Sequence, residues 1–269
     1  MTHALILGNS HTVPLRHAWS ALGEEHPRHR ISFFAVPMPF FRFLRLNGRR
    51  FGAPTGRGER PRITEMAERL NGRADVDLSE FDLILLVGFV DRFKALSELM
   101  LGCDVDGLRE VGAQSRLSPS AFQAICRTIA EGVLPVKFLA RLSAGPVAVL
   151  EKSRPAETCV GSEDPRYRGW RGLAPDPRGI AAVLGAYSDV LASVLAERDI
   201  SLIRQPGETI QPNGLTAARF SQGSINLAQG EPHGEDDHSH ANAAYGEICL
   251  ARILDFLDAA PTPALVTRH

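Results

Sequence analysis

The sequence predicts an α/β protein built on a mostly parallel sheet of five strands. Five short apolar runs, rich in β-branched and aromatic residues, recur along the chain with amphipathic helical patterns between them. Each run is apolar at consecutive positions rather than alternate ones, as strands covered by helices on both faces must be.

The first run, ALILGN (4–9), climbs into the polar cluster Gly8-Asn9-Ser10-His11. A helical pattern follows, with Pro14 suited to its first turn, Leu15, Ala18, Trp19 and Leu22 on one face, and Gly23 as a stop. The other strands are ISFFAV (31–36), FDLILLVGF (81–89), PVAVLEK (146–152) and ISLIRQ (200–205). The clearest helix is 178–198, where Ile180, Val183, Leu184, Tyr187, Leu191, Val194 and Leu195 form a single stripe. A last helix is expected from about Ala243 to Leu257, with Tyr245 facing the sheet and residues 260–269 as a fraying tail. Residues 103–142 read as a helical insertion at one end of the sheet, and the whole of 1–269 as a single domain. Two long connections, 41–62 with seven arginines against one glutamate, and 153–177 rich in Pro, Gly and charge, are candidate binding loops or lids.

With 44% hydrophobic residues, 23% charged and a net charge of −1, the composition is that of a soluble globular protein, and charge names no partner. Only one loop is basic and no stacking motif accompanies it, which argues against nucleic acid. Cys103, Cys126, Cys159 and Cys249 stand singly, suggesting neither a disulfide framework nor a zinc ribbon. No basic segment leads into an apolar signal core, and no uninterrupted apolar run nears the ~20 residues of a membrane span, so a cytoplasmic protein is expected.

In a doubly wound sheet ligands collect beyond the carboxyl ends of the strands, where Ser10 stands. A hydroxyl there, close to a helix N-terminus, suits a nucleophile whose attack creates an oxyanion, and its own N–H can serve as donor. The bland alternative is that Ser10 merely caps the helix. A serine nucleophile needs a base, and EPHGEDDHSHANAAYGE (231–247) supplies one: Asp237 and His240 are three residues apart, close enough for a carboxylate to orient an imidazole. Otherwise His240 is an exposed loop histidine and Asp237 a helix cap, a task for which Asn242 is better placed. His233, Glu235, Asp236, Asp237, His238 and His240 together invite a metal reading, but their spacing fits no closed site, so neither a metal nor another cofactor is expected. A third reading makes the GNSHT turn a phosphate-binding site.

The pairing of LILGNSH near the N-terminus with DDHSHANAAYG near the C-terminus resembles the SGNH/GDSL hydrolase superfamily. The resemblance implies a flavodoxin-like three-layer α/β/α sandwich, with Ser10 as nucleophile, His240 as general base and then acid, and Asp237 as the carboxylate that holds His240. It also implies an oxyanion hole completed by a glycine after the second strand, for which Gly48 and Gly52 are the choices, and by a G-x-N-D motif after the third. There Gly88 and Asp91 match, while Val90 stands where asparagine is expected. One missing oxyanion donor typically costs ~100- to 1000-fold in turnover. Asn47 or His11 is placed by topology to replace it, and Asn9 belongs to the same turn; otherwise the chain is a catalytically impaired binding or sensing domain. The arginine-rich loop reads first as a solvated surface; the functional alternative is that Arg42, Arg45, Arg49 and Arg50 line the mouth and attract an anionic substrate. The implied reaction is hydrolysis or transfer of an O-acyl ester; a small acyl group on a sugar or similar polar alcohol fits the absence of a lipid-sized apolar loop.

Overall fold

The computed structural model describes residues 1–89, 92–133 and 146–259. The expectations attached to Val90, Asp91 and the tail 260–269 lie outside these residues. In chain order the strands are β1 (Thr2–Gly8), β2 (His29–Ala35), β3 (Arg45–Asn47), β4 (Arg50–Gly52), β5 (Asp75–Asp77), β6 (Leu83–Val87), β7 (Cys103–Val105), β8 (Ser115–Leu117), β9 (Val147–Leu150) and β10 (Ile200–Ile203). The described helices are α1 (Val13–Leu22), α2 (Met38–Phe41), α3 (Pro61–Asn71), α4 (Phe93–Gly102), α5 (Pro119–Val133), α6 (Arg168–Leu173), α7 (Pro177–Ala196) and α8 (Ala243–Ala259).

The central sheet runs β10-β9-β6-β1-β2 with every neighbouring pair parallel. Renumbered along the chain this is the 2-1-3-4-5 order of a doubly wound, flavodoxin-like sheet. Its five strands are the five apolar runs. Successive side chains serve opposite faces, so Leu5, Leu7, Ile84 and Leu86 join a core with α3, α4, α5 and α7, while Ala4, Ile6, Leu83 and Leu85 join one with α1 and α8. The result is a three-layer α/β/α sandwich. Each fully buried Leu or Ile contributes about 1.5–3 kcal/mol relative to exposure, so a polar residue at one of these buried positions would be costly.

Register sets where the site can form. Gly8 pairs with Val87 and with Ala35, and Val87 pairs with Leu150, so β1, β2, β6 and β9 end level with one another. The loops that leave them therefore converge on one rim.

Three segments differ from the sequence expectation. The basic stretch 41–62 is not one open loop: β3 and β4 form an antiparallel hairpin that pairs in turn with β5. Residues 103–133 are not an end-on helical insertion, since β7 and β8 pair in parallel and α5 buries Phe122, Cys126 and Ala130 against the sheet's core as the covering helix before β9. The apolar helix α7 is long and apolar enough to pass for a membrane span, yet half of it is buried inside the fold.

Candidate functional site

Ser10 begins a short 3₁₀ turn directly after β1, and α1 continues from it. Asn9 shapes that turn. Its amide is buried, donates to the Gly88 carbonyl at 2.9 Å and accepts from the His11 N–H at 3.1 Å, while its own carbonyl accepts from the Thr12 N–H and hydroxyl. Gly88 makes room for it: its φ is +81°, and a Cβ there would stand 2.3 Å from Asn9 Oδ1. The loops after β1 and β6 are thus locked together beneath Ser10.

Asp237, Ser239 and His240 come from the loop before α8. Asp237 Oδ1 accepts from the Ser239 N–H, the Ser239 hydroxyl and the His240 N–H, an Asx turn that folds the segment back on itself. Oδ2 is left to accept from His240 Nδ1 at 2.8 Å. His240 Nε2 lies 2.8 Å from Ser10 Oγ. A carboxylate, an imidazole and a hydroxyl are therefore joined in one hydrogen-bonded line across 230 residues of sequence. Burial alone would raise the pKa of Asp237, but the bond and charge of His240 and the Ser239 donors outweigh it and hold the carboxyl well below the usual range, so it is ionised.

Residues that motif spacing does not reveal pack around His240. The His240 ring is sandwiched between His233, with centroids 4.1 Å apart and planes at 8°, and His11, at 4.8 Å and 15°. His233 Nδ1 also reaches Asp237 Oδ2 at 3.2 Å. Burial lowers the pKa of both flanking histidines, helped by the charge of Lys152 at His11 and of His240 at His233, so both rings are neutral at pH 7. Tyr167 is buried with its ring edge-on to His238, centroids 5.0 Å apart, on the side of the long 153–177 connection.

No protein-family model matches the chain, and no curated protein matches its sequence. Among solved structures it is similar to an acetyl xylan esterase, AlAXEase. The similarity covers 95% of this chain and 99% of that one, at 10% identity and a TM-score of 0.40.

The remaining sequence candidates are placed differently. Gly48 was expected after the second strand as an oxyanion donor, but β2 passes through Val36-Pro37 straight into α2, leaving no glycine there. Gly48 instead takes φ +58° in the two-residue turn of the β3–β4 hairpin, where a glycine is required in the first central position. Among the described residues no hydrogen bond or ion pair links Asn47, Gly48, Arg49 or Arg50 to Ser10 or His240. The Arg49 carbonyl accepts from Leu78, on the segment that leads into the amino end of β6, and Arg50 is paired with Asp75. Gly52 sits within β4, packed against Asp75. Arg42 and Arg60 stack on Phe43, and Arg45 lines the same cleft as Phe43 and Arg60. The Asn9 amide is consumed by the turn, and His11 contributes its ring rather than its N–H.

His233, Asp237 and His240 have ligand atoms within 4.8 Å of one another and form the one metal-capable cluster among the described residues. Both Nδ1 atoms already bond Asp237, and the near-parallel stack would have to open for both to reach the ~2.0–2.1 Å of a zinc bond.

Proposed function

We propose that this chain is a serine esterase of the SGNH type, cleaving or transferring a small O-acyl group carried by a sugar or similar polar alcohol. The observation that carries the reading is the line Ser10 Oγ, His240 Nε2, His240 Nδ1, Asp237 Oδ2, with both hydrogen bonds at 2.8 Å. In this reading Ser10 Oγ attacks the ester carbonyl while His240 Nε2 takes its proton. Ionised Asp237 keeps the proton on Nδ1, so that Nε2 is the lone-pair nitrogen, and stabilises the imidazolium that forms. The Ser10 N–H, at the start of the 3₁₀ turn, faces the developing oxyanion. His240 then returns its proton to the departing alcohol, leaving acyl-Ser10. Water or a second alcohol, deprotonated by His240, releases the acyl group.

Neutral flanking rings support the same step. An imidazolium held between two neutral aromatic faces is stabilised by cation–π attraction of roughly 0.5–2 kcal/mol. The competing reading, a binding domain that has lost turnover, draws on Val90 in the position where the resemblance expects asparagine.

Intact-protein mass spectrometry after exposure to a small fluorophosphonate, beside a short-chain p-nitrophenyl ester assay, decides between them. A single adduct on wild type that disappears in Ser10→Ala, together with loss of turnover, is the expected result. Well-folded protein that takes no adduct removes the esterase reading and leaves the binding domain.

A further inference from the structure

The loop between β10 and α8 carries a second imidazole that takes no part in the proton transfers. His233 lies parallel to His240, with ring centroids 4.1 Å apart and planes at 8°. Its Nδ1 stands 3.2 Å from Asp237 Oδ2, the same oxygen that accepts from His240 Nδ1 at 2.8 Å. A nitrogen lone pair is repelled by a carboxylate oxygen, so neutral His233 carries its proton on Nδ1 and its lone pair on Nε2. That Nε2 is buried and has no hydrogen-bond partner. A buried acceptor left unpaired costs stability. An apolar ring of the same shape would fill the stack without the orphan nitrogen, so the advantage of a histidine here lies at Nδ1.

Nδ1 reaches Asp237 from outside the turn that contains it. The donors on Oδ1 belong to Ser239 and His240, which move with Asp237, so they fix the shape of the turn and not its direction. His233 is held elsewhere. Its backbone N–H donates to the Ser224 carbonyl at 2.7 Å, Ile225 is bridged to Pro232, and the Asn226 N–H donates to the Glu231 carbonyl at 2.8 Å, which makes 224–233 a narrow hairpin. Asn226 Oδ1 closes the tip by accepting from the N–H groups of Ala228 and Gln229, and the Ala228 carbonyl accepts from Arg69 of α3 at 2.9 Å. At the foot of the hairpin the carbonyls of Arg219 and Gln222 accept from the Asn242 amide, two residues beyond His240. The stretch 219–233 is thus a clasp anchored on α3, and its two ends both meet the segment 237–242.

We infer that His233 is a positioning residue: its Nδ1–H holds the Asp237 carboxylate so that Oδ2 stays aimed at His240 Nδ1, and His240 Nε2 at Ser10 Oγ. The inference rests on the esterase reading and extends its relay by one residue. His233 acts only through Asp237.

Two variants separate the N–H from the ring. His233→Phe keeps an aromatic face on His240 and removes the N–H. His233→Asn removes the face, but its amide nitrogen is the same number of bonds from the backbone as Nδ1 and can stand in its place. Turnover of a short-chain p-nitrophenyl ester is divided by the sites that a fluorophosphonate titrates on long exposure, so unfolded protein does not count. In His233→Phe kcat is expected to fall about 10- to 100-fold with KM little changed, since a displacement of about 1 Å can cost about 100-fold. Its melting temperature should stay close to that of wild type, because the orphan nitrogen has gone. His233→Asn is expected to recover most of the lost kcat. A residue serving the fold alone would lower the melting temperature and leave kcat per titrated site unmoved. Undiminished kcat in His233→Phe, or no recovery in His233→Asn, overturns the inference, while an adduct on wild type that Ser10→Ala abolishes keeps the esterase standing. Folded wild type that takes no adduct removes the esterase reading and the role of His233 with it.

Discussion

Asp237→Asn is the most informative single change, because the structure dictates how the new side chain must sit. Three donors, the Ser239 N–H and hydroxyl and the His240 N–H, converge on Oδ1, so the asparagine oxygen must take that place. Its NH₂ is then forced into the position of Oδ2, facing His240 Nδ1 and His233 Nδ1. A donor opposite Nδ1 favours the His240 tautomer protonated on Nε2, and that nitrogen can no longer accept the Ser10 proton. The backbone turn survives while the base is lost. The same substitution in a serine-protease triad lowers kcat by about 10⁴, equivalent to about 5.5 kcal/mol at ~1.36 kcal/mol per tenfold. Kinetics on a p-nitrophenyl ester should therefore show kcat near that of Ser10→Ala with KM little altered, in protein whose melting temperature stays close to wild type. Turnover within tenfold of wild type would mean that His240 does not act as the base through Nε2, and the proposed relay would be abandoned.

Other expectations follow from the surrounding contacts. Gly88→Ala places a methyl 2.3 Å from Asn9 Oδ1 at a φ of +81°, so a loss of about 1–3 kcal/mol is expected in urea unfolding, with turnover falling further as the Ser10 turn shifts. Asn9→Ala leaves the Gly88 carbonyl and the His11 N–H without their partner, at about 1–3 kcal/mol on the same assay. Acid should destabilise the fold early. His11 and His233 have folded-state pKa values below the unfolded ~6.5, so the unfolded chain binds protons first; their stability is complete above about pH 6.5 and lost as pH falls through the window beneath it, by at most about 1.4 kcal/mol per pH unit for each. His233→Gln should flatten the stability difference between about pH 7.5 and about pH 5.5, and an unchanged slope would mean the ring is not buried as a neutral base. The depressed Asp237 acts lower, its contribution present above about pH 4 and lost as pH drops further.

The sheet was legible because strands buried on both faces leave an unmistakable trace: ALIL and LILLV are apolar at every position, whichever side they serve. Ser10, Asp237 and His240 were legible because their geometry is local, a turn after a strand and an Asx turn three residues wide. What failed depended on distance. Gly48 was assigned to the oxyanion hole by counting strands, although a glycine between Leu46 and Phe51 marks a hairpin; nothing in the spacing reveals that Pro37 feeds β2 directly into α2. The His233 and His11 stack arises from loops brought together by sheet register, which no window of sequence contains. Residues 103–133 were misplaced for the opposite reason: helical periodicity in α5 is real, but whether such a helix covers a sheet or hangs from its end depends on the partner of its apolar face, here α7.

Two close backbone approaches explain how residues 230 positions apart hold a 2.8 Å hydrogen bond. On the Ser10 side, Gly8 lies so near β6 that a Cβ would stand 2.3 Å from the Val87 carbonyl, and Gly88 admits the Asn9 amide beneath the turn. On the His240 side, Asn242 caps α8 by accepting from the Tyr245 N–H, and its own amide donates to the carbonyls of Arg219 and Gln222, which fixes where the loop enters the helix. One turn later a Cβ on Gly246 would stand 2.1 Å from the Pro14 carbonyl, so α8 presses directly on the first turn of α1. The helix that begins just after Ser10 and the helix that begins just after His240 are thus in backbone contact at their N-termini. Ser10 and His240 face each other because of that contact, and Gly246→Ala, far from any reacting atom, should separate them: a fall in kcat larger than the loss of stability explains is the signature of a lengthened Ser10–His240 bond, since misplacement by about 1 Å can cost about 100-fold.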